Sequence, residues 1–193
     1  MKSLLVEYNV IEYGKELLAE AADVTKPLVL KDVLLQRAGA KNQNGRVYPH
    51  EILMREASVY KNNFVSERRA LGELDHPESP VVNLKNVCCN VTDLWFDNKD
   101  VRGNIEILST PSGNIVRELI KNNIRLGVSS RGMGSVRPLG ENTVEVQDDF
   151  SLICFDIVSN PSTQGAFINE NKQIVTPYTK LDSLIYEFLS EIK

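Results

Sequence analysis

LICFDIVSNPS, residues 152–162, begins with an apolar run that contains a single carboxylate. Side chains alternate between the two faces of a strand, so Leu152, Cys154 and Val158 share one face with Asp156. Both faces of the run are apolar, which is typical of a strand covered on both sides. An unpaired buried charge costs roughly several kcal/mol. The segment therefore predicts a buried strand in which Asp156 has a specific partner.

Two kinds of partner for Asp156 are open from the sequence. A buried ion pair with an arginine such as Arg131 or Arg125 would give the carboxylate a structural role. Alternatively, Asp156 accepts the Nδ1 proton of His76 and thereby fixes the tautomer of a general base. Glu73 is closer to His76 in sequence, but it projects away from the strand face that carries the histidine, so it is not expected to orient that ring.

The two histidines of the chain are the only imidazoles available as a general base near neutral pH. His50 follows a proline at a predicted helix start, where a surface contact would explain it fully. His76 ends the strand-like run ALGELDHP, residues 70–77, and Pro77 stops further strand pairing there. A histidine that only closes a strand is the alternative, but a strand end suits a base, so His76 is the stronger candidate.

The candidate nucleophiles are two adjacent serines in GVSSRG, residues 127–132. The flanking glycines permit unusual backbone angles and close approach of another chain. On an extended backbone Ser129 and Ser130 face opposite ways, so one of them alone can meet a given imidazole. Taken by itself, such a serine pair is more typical of a loop.

The spacing of apolar residues predicts an α+β fold with mostly short strands. Strands are predicted at 28–36, 87–96, 101–108 and 143–158, and helices from Pro49, from Thr110 or Ser112 to Asn123, and over 180–192. A polar turn at 97–100 indicates a hairpin. Short strands favour a closed or nearly closed sheet, so the predicted fold is a small, mostly antiparallel β-barrel flanked by helices.

The N-terminal residues are predicted as a separate arm. Residues 3–22 place apolar side chains at roughly helical spacing, and residues 23–27 have the composition of a linker. The chain is therefore divided into a helical arm, residues 1–25, and a main domain, residues 26–193.

The composition excludes several classes of function. The chain has 193 residues, 42% apolar residues and a formal charge of −4, with its basic residues scattered, so no nucleic-acid partner is expected. Its three cysteines do not have zinc-site spacing, and no metal or cofactor is expected. The apolar runs are too short for a membrane span, and no signal pattern begins the chain, so a cytoplasmic protein is expected.

Four motifs follow one another along the chain: NGRVYP at 44–49, ALGELDHP at 70–77, GVSSRGMGS at 127–135 and DIVSNPS at 156–162. Together they resemble the prohead core proteases of tailed bacteriophages with contractile tails, over about residues 28–165. The resemblance places the catalytic histidine of that family on His76, its nucleophile on Ser129 and its carboxylate on Asp156. The family is similar in fold to herpesvirus assemblin, a small β-barrel wrapped by helices.

The resemblance implies a serine endopeptidase of the Ser-His-Asp type. Its substrates would be scaffold and major capsid precursor proteins, cut inside the prohead in the host cytoplasm. His76 would take the proton of Ser129, and the acyl-enzyme would then be hydrolysed. N–H groups of the Ser130–Arg131 peptide, or of a turn at 162–165, are expected to bind the oxyanion.

The resemblance also implies self-cleavage. The best-known members of the family cut after Leu or Ile, any residue, then Glu, and Leu18-Ala19-Glu20 followed by Ala21 fits that pattern. Self-processing between Glu20 and Ala21 is therefore predicted, with ordinary helix sequence as the alternative.

Two other functions are weighed against proteolysis. A non-catalytic scaffold or tail-tube-like protein could use the same kind of barrel, since a fold alone does not confer activity. A small cytosolic esterase is disfavoured because the chain lacks a Gly-x-Ser-x-Gly elbow. The oligomeric state is open, with a homo-oligomer as one option.

Overall fold

Strands make up most of the ordered framework. The structure is a computed structural model that describes residues 2–75, 77 and 79–159. In chain order the described elements are β1 (Ser3–Val10), α1 (Lys15–Ala22), β2 (Leu28–Arg37), β3 (Arg46–Val47), α2 (His50–Tyr60), a π-helical turn (Lys61–Val65), β4 (Leu71–Glu73), β5 (Val87–Asp97), β6 (Asp100–Ile107), α3 (Pro111–Lys121), β7 (Gly127–Gly134), β8 (Val136–Gly140), β9 (Thr143–Val146) and β10 (Ser151–Val158).

These strands form three sheets, in the orders β1-β7-β10, β2-β6-β5-β4 and β3-β9-β8. All ladders are antiparallel except that between β3 and β9. A single parallel bridge, Leu74 with Ile157, joins the end of β4 to β10. The α+β class and the mostly antiparallel pairing are therefore confirmed.

The predicted closed barrel is not found in the part of the chain that the structure describes. β1 and β2 come close to each other, where the side chain of Asn9 donates from Nδ2 to the carbonyl of Leu35 at 2.8 Å. No backbone ladder joins these two described strands. Closing a sheet into a barrel requires every strand to pair on both sides, and β1 and β2 do not pair with each other in this way.

The N-terminal residues form a strand where a helix is predicted. β1 pairs with β7 along its whole length, so the helix prediction is wrong for residues 3–10 and confirmed for Lys15–Ala22. Leu5 and Ala21 are buried in the same core as the rest of the chain. The division at residue 25 stays a prediction.

Several local predictions are confirmed. β5 and β6 form the predicted hairpin, and Asn98 in its turn has a positive φ of 53°, which asparagine tolerates well. Thr110 caps α3, because its hydroxyl accepts the N–H of Gly113 at 3.0 Å. The strand predicted over 143–158 is instead two strands, β9 and β10, separated by a turn in which Phe150 N–H donates to Gln147. The helix predicted at 180–192 lies outside the described residues.

Candidate active site

β7 is the middle strand of its sheet and carries both candidate serines. Ser129 lies directly across from Asp156 on one side and Tyr8 on the other, whereas Ser130 lies across from Phe155 and Glu7. Directly opposite residues share a face of the sheet, so the two serines face opposite ways as predicted. Because β7 is paired on both edges and covered on both faces, Ser129 is 0% exposed and Ser130 is 2% exposed.

A β-bulge in β10 decides which side chains accompany Asp156. The register between β7 and β10 shifts between Leu152 and Cys154, so Cys154 pairs with Arg131 while Leu152 pairs with Gly132. An extra residue reverses the alternation of faces. Asp156 therefore shares its face with Cys154 as predicted, but the prediction that Leu152 lies on that face is wrong.

Asp156 is fully buried and paired with Arg131. Its Oδ1 accepts the backbone N–H of Glu73 at 2.9 Å and the Nη2 of Arg131 at 3.1 Å. Its Oδ2 lies 3.0 Å from Arg131 Nε. The ion pair with Arg131, which is one of the two partners open from the sequence, is thus present.

The guanidinium of Arg131 is clamped by protein groups on several sides. Nη2 also donates to Glu73 Oε1 at 2.8 Å, Nη1 donates to the carbonyl of Ser79 at 2.8 Å, and Nε donates to Cys154 Sγ at 3.2 Å. Arg131 is 0% exposed. The Arg131 side chain therefore links β4, β10 and the chain at residue 79. The predicted oxyanion role of the Ser130–Arg131 peptide stays a prediction.

Several buried oxygens in this region lack a hydrogen bond among the described residues, namely Ser129 Oγ, Asp156 Oδ2, Glu73 Oε2 and Tyr60 Oη. The approach of Arg131 Nε to Asp156 Oδ2 is an ion-pair contact, because the hydrogen bond of that nitrogen goes to Cys154. Buried polar atoms are nearly always hydrogen-bonded, so a group of unfilled ones indicates a site. The Ser129 hydroxyl and the Asp156 carboxylate both have unused hydrogen-bonding capacity, and they face the same side of one sheet.

His76 itself lies outside the described residues, but the chain on both sides of it is described. Before it, Asp75 N–H donates to the carbonyl of Ile157 at 2.8 Å, next to Asp156 in β10. After it, the carbonyl of Ser79 accepts from Arg131. Both flanks are therefore fastened to the sheet that carries Ser129.

The other histidine has the surface contact that the sequence predicts. His50 is exposed at the start of α2, and its Nε2 lies 3.3 Å from the carbonyl of Asn98 in the β5–β6 turn. This contact accounts for His50 without a catalytic role.

Burial and charge set the protonation states around Asp156. Burial raises the pKa of Asp156, while the Glu73 N–H and the Arg131 guanidinium act in the opposite direction. Burial also raises the pKa of Cys154 and of Tyr60, so both side chains are neutral near pH 7. Desolvation opposes the charge on Arg131, but its anionic neighbours leave its pKa above the ordinary value and it stays protonated.

Glu73 is the residue of this site that the sequence analysis missed. Its side chain is 0% exposed and binds Arg131, and its backbone N–H binds Asp156. The available signal was a carboxylate in the run ALGEL, the same kind of signal that identified Asp156. The role was hidden because the Glu73 side chain acts through Arg131, which lies 58 positions away in the sequence.

The predicted self-cleavage site lies at the end of α1. Ala21 is 0% exposed, and the carbonyls of Glu20 and Ala21 accept hydrogen bonds from Arg117 Nη1 at 3.2 and 3.4 Å. Cleavage between these residues stays a prediction.

The described residues contain no cluster of histidine, cysteine and carboxylate side chains that could hold a metal ion. None of the helices in residues 2–75, 77 and 79–159 has the length and apolar content to cross a bilayer.

The α+β fold brings a buried serine and a buried carboxylate to one face of a sheet, and comparison with known proteins gives the family. The model of the prohead core protein serine protease family matches residues 5–177, so the chain belongs to that family. It is 32% identical over 148 residues to the prohead core protein protease of Enterobacteria phage T4, covering 74% of this chain and 69% of that protein. The solved structure of the bacteriophage T4 capsid assembly protease matches with a TM-score of 0.71 and 24% identity, over 83% of this chain and 99% of that one, which shows the shared fold. The chain is thus a protease of phage capsid maturation.

Proposed function

We propose that this chain is a serine endopeptidase that cuts scaffold and major capsid precursor proteins inside the prohead, with Ser129 as nucleophile, His76 as general base and Asp156 as the residue that orients the base. Membership of the prohead protease family supports the reaction class and the place of action. The phage T4 relative is named a prohead core protein protease. The prohead would assemble in the host cytoplasm.

One observation carries the assignment of residues. The buried hydroxyl of Ser129 has no described hydrogen-bond partner and lies across the ladder from Asp156, whose Oδ2 accepts no hydrogen bond in the described part of the chain. An imidazole placed between them would satisfy the hydrogen-bonding capacity of both groups, since its Nδ1–H donates to the carboxylate and its Nε2 accepts from the hydroxyl. The hydrogen bonds that join Asp75 and Ser79 to this sheet support the assignment of His76, which lies between them in sequence.

The reaction proceeds by nucleophilic catalysis. His76 removes the proton of Ser129 as Oγ attacks the scissile carbonyl, and it then protonates the leaving amine. Water hydrolyses the acyl-enzyme by the reverse sequence of proton transfers. Asp156 stabilises the imidazolium formed in each step. The oxyanion is bound by backbone N–H groups, for which the Ser130–Arg131 peptide and residues 162–165 are the candidates.

Paired serine variants test the nucleophile. Ser129→Ala should lower cleavage of a co-expressed scaffold precursor by about 10³-fold or more, because no other group forms the acyl-enzyme. Ser130→Ala should reduce cleavage far less, because its side chain faces Glu7 and Phe155 and the variant keeps the backbone N–H. Cleavage is followed by gel and mass spectrometry.

A fluorophosphonate label separates the enzyme from the non-catalytic alternative. The wild-type protein should be labelled on the peptide that contains Ser129, and Ser129→Ala should not be labelled. Absence of labelling together with absence of precursor cleavage would favour a scaffold or tail-tube-like role. Undiminished cleavage by Ser129→Ala would overturn the nucleophile assignment.

A further inference from the structure

The cluster behind Ser129 contains one more carboxylate than its arginine can neutralise. Arg131 carries one positive charge and contacts both Glu73 Oε1 at 2.8 Å and Asp156 Oδ1 at 3.1 Å. All three side chains are 0% exposed. With both acids ionised, the three groups carry one net negative charge in a buried region, where bulk solvent screens it poorly.

The cluster of Glu73, Arg131 and Asp156 is not an effective way to stabilise the fold. Replacing buried ion pairs by packed apolar side chains is often neutral or stabilising, because the desolvation cost of the charges is large. Glu73 also leaves Oε2 without a hydrogen bond from any described residue. Buried charges arranged in this way are more typical of functional sites than of stabilising cores.

Glu73 changes how Arg131 approaches Asp156. Because Glu73 takes part of the Nη2 hydrogen bonding, and because Nε donates to Cys154, Asp156 Oδ2 has an ion-pair contact with the guanidinium but no hydrogen bond from it. That oxygen lies on the face of the sheet that carries Ser129. Asp156 thus keeps an acceptor and a share of the net charge on the side of the nucleophile.

We propose that Glu73 is a positioning residue, which shares Arg131 with Asp156 so that one net negative charge, and one carboxylate oxygen that accepts no hydrogen bond from Arg131, remain available to the general base. This inference rests on the proposed function, in which the base is His76. The net charge stabilises the imidazolium as it takes the proton of Ser129. Without Glu73, Arg131 pairs with Asp156 alone and cancels its charge.

Among the described residues, the neutral ionisable groups that interact with Asp156 do not alter this balance near pH 7. They come from three packed elements: Tyr60 at the end of α2, Cys89 in β5 and Cys154 in β10. The pKa of Tyr60 and of Cys154 is raised by burial, and that of Cys89 by its contact with Cys88 and by burial, so all three are neutral. Glu73, Arg131 and Asp156 are left as the charged groups of this cluster.

The test reads the charge at the base directly, by NMR titration of His76 in the Ser129→Ala protein, where hydrolysis does not interfere. His76 should titrate above the ordinary pKa of about 6.5. Adding Glu73→Gln should lower the titration midpoint of His76 by about one pH unit. In the active enzyme, the same substitution should move the acid limb of kcat/KM down by about one pH unit and lower kcat about tenfold.

A matched control is available in the same sheet. Glu7 is also buried and bonded to an arginine, Arg46, at 2.9 Å, but it lies across from Ser130 and so faces the other side. Glu7→Gln should change the free energy of unfolding without changing the titration midpoint of His76 or the acid limb of the kcat/KM profile.

The outcomes separate the inference from the proposed function. A His76 midpoint at or below the ordinary value of about 6.5 in the parent protein overturns the inference without needing any Glu73 variant to fold. An unchanged midpoint in folded Glu73→Gln also overturns it, even if Ser129 is the nucleophile. Loss of precursor cleavage in Ser129→Ala supports the proposed function whatever the titrations show.

Discussion

At the scale of single residues, buried polar atoms are of two kinds: those that are hydrogen-bonded and those that have no hydrogen bond among the described residues. Glu7 is of the first kind, because its two oxygens accept from Arg46, Tyr48 and Asn44 at 2.7–2.9 Å. Ser129 is of the second kind, because its Oγ is buried without a described partner. The two residues lie on neighbouring strands of one sheet, so the difference does not arise from depth in the protein. It marks the face on which the chemistry is proposed.

Two buried tyrosines allow this distinction to be measured. Tyr48 Oη donates to Glu7 Oε1 at 2.8 Å, whereas Tyr60 Oη has no hydrogen bond from or to a described residue. Tyr48→Phe should lower the free energy of unfolding by about 1–3 kcal/mol, because it leaves Glu7 short of a donor. Tyr60→Phe should leave it unchanged or raise it by up to about 1 kcal/mol. Urea unfolding measures both, and an equal loss in the two variants would contradict the assignment.

At the scale of elements, α1 is held to α3 by one arginine. Arg117 is 8% exposed and donates to the carbonyls of Glu20, Ala21, Asp23 and Lys26 at 2.9–3.4 Å. The last carbonyls of a helix have no partner within the helix. Arg117 supplies partners from a neighbouring element, and it thereby fixes where α1 ends and how the chain enters β2.

Replacing this arginine should loosen the whole N-terminal end. Arg117→Met keeps much of the side-chain volume but leaves these carbonyls without donors, so the free energy of unfolding should fall by about 2–4 kcal/mol. Lys121→Met on the same helix is the control, because Lys121 is exposed and pairs only with Glu118 in the described contacts, at 3.1 Å. Its effect should stay within about 0.5 kcal/mol. Similar losses in the two variants would show that the carbonyl contacts do not stabilise α1.

At the scale of the whole molecule, the site joins segments that are far apart in the chain. β4, β7 and β10 supply Glu73, Arg131 and Asp156, and the isolated bridge of Leu74 with Ile157 brings two of the sheets together at this point. β1 covers the free edge of β7, so the N-terminal residues support the strand of the nucleophile directly. Removal of those residues would therefore affect the site.

Self-processing between Glu20 and Ala21 requires the end of α1 to open first. Ala21 is buried and Arg117 holds both carbonyls, whereas a protease takes its substrate in an extended form. Intact-mass measurement should show loss of residues 1–20 in wild-type protein and none in Ser129→Ala, and Arg117→Met should process faster than wild type. An identical N-terminus in wild type and Ser129→Ala would refute self-processing at this bond.

The sequence by itself determined the features that local residues control. The β5–β6 hairpin, the Thr110 cap and the buried strand around Asp156 follow from turn residues, capping chemistry and apolar alternation, all of which act over a few positions. The opposite facing of Ser129 and Ser130 follows from strand geometry in the same way. The family motifs identified the remaining candidate, His76.

Only the tertiary structure decided what depends on a distant partner. Residues 3–10 fit a helical period in isolation but become β1 because the edge of β7 offers a ladder. The bulge before Cys154 reverses the face of Leu152. The Glu73 side chain acts on Asp156 through Arg131, which is 58 positions from Glu73 in sequence. Strand register, bulges and shared ion pairs are set by neighbours in space, so no pattern within a segment specifies them.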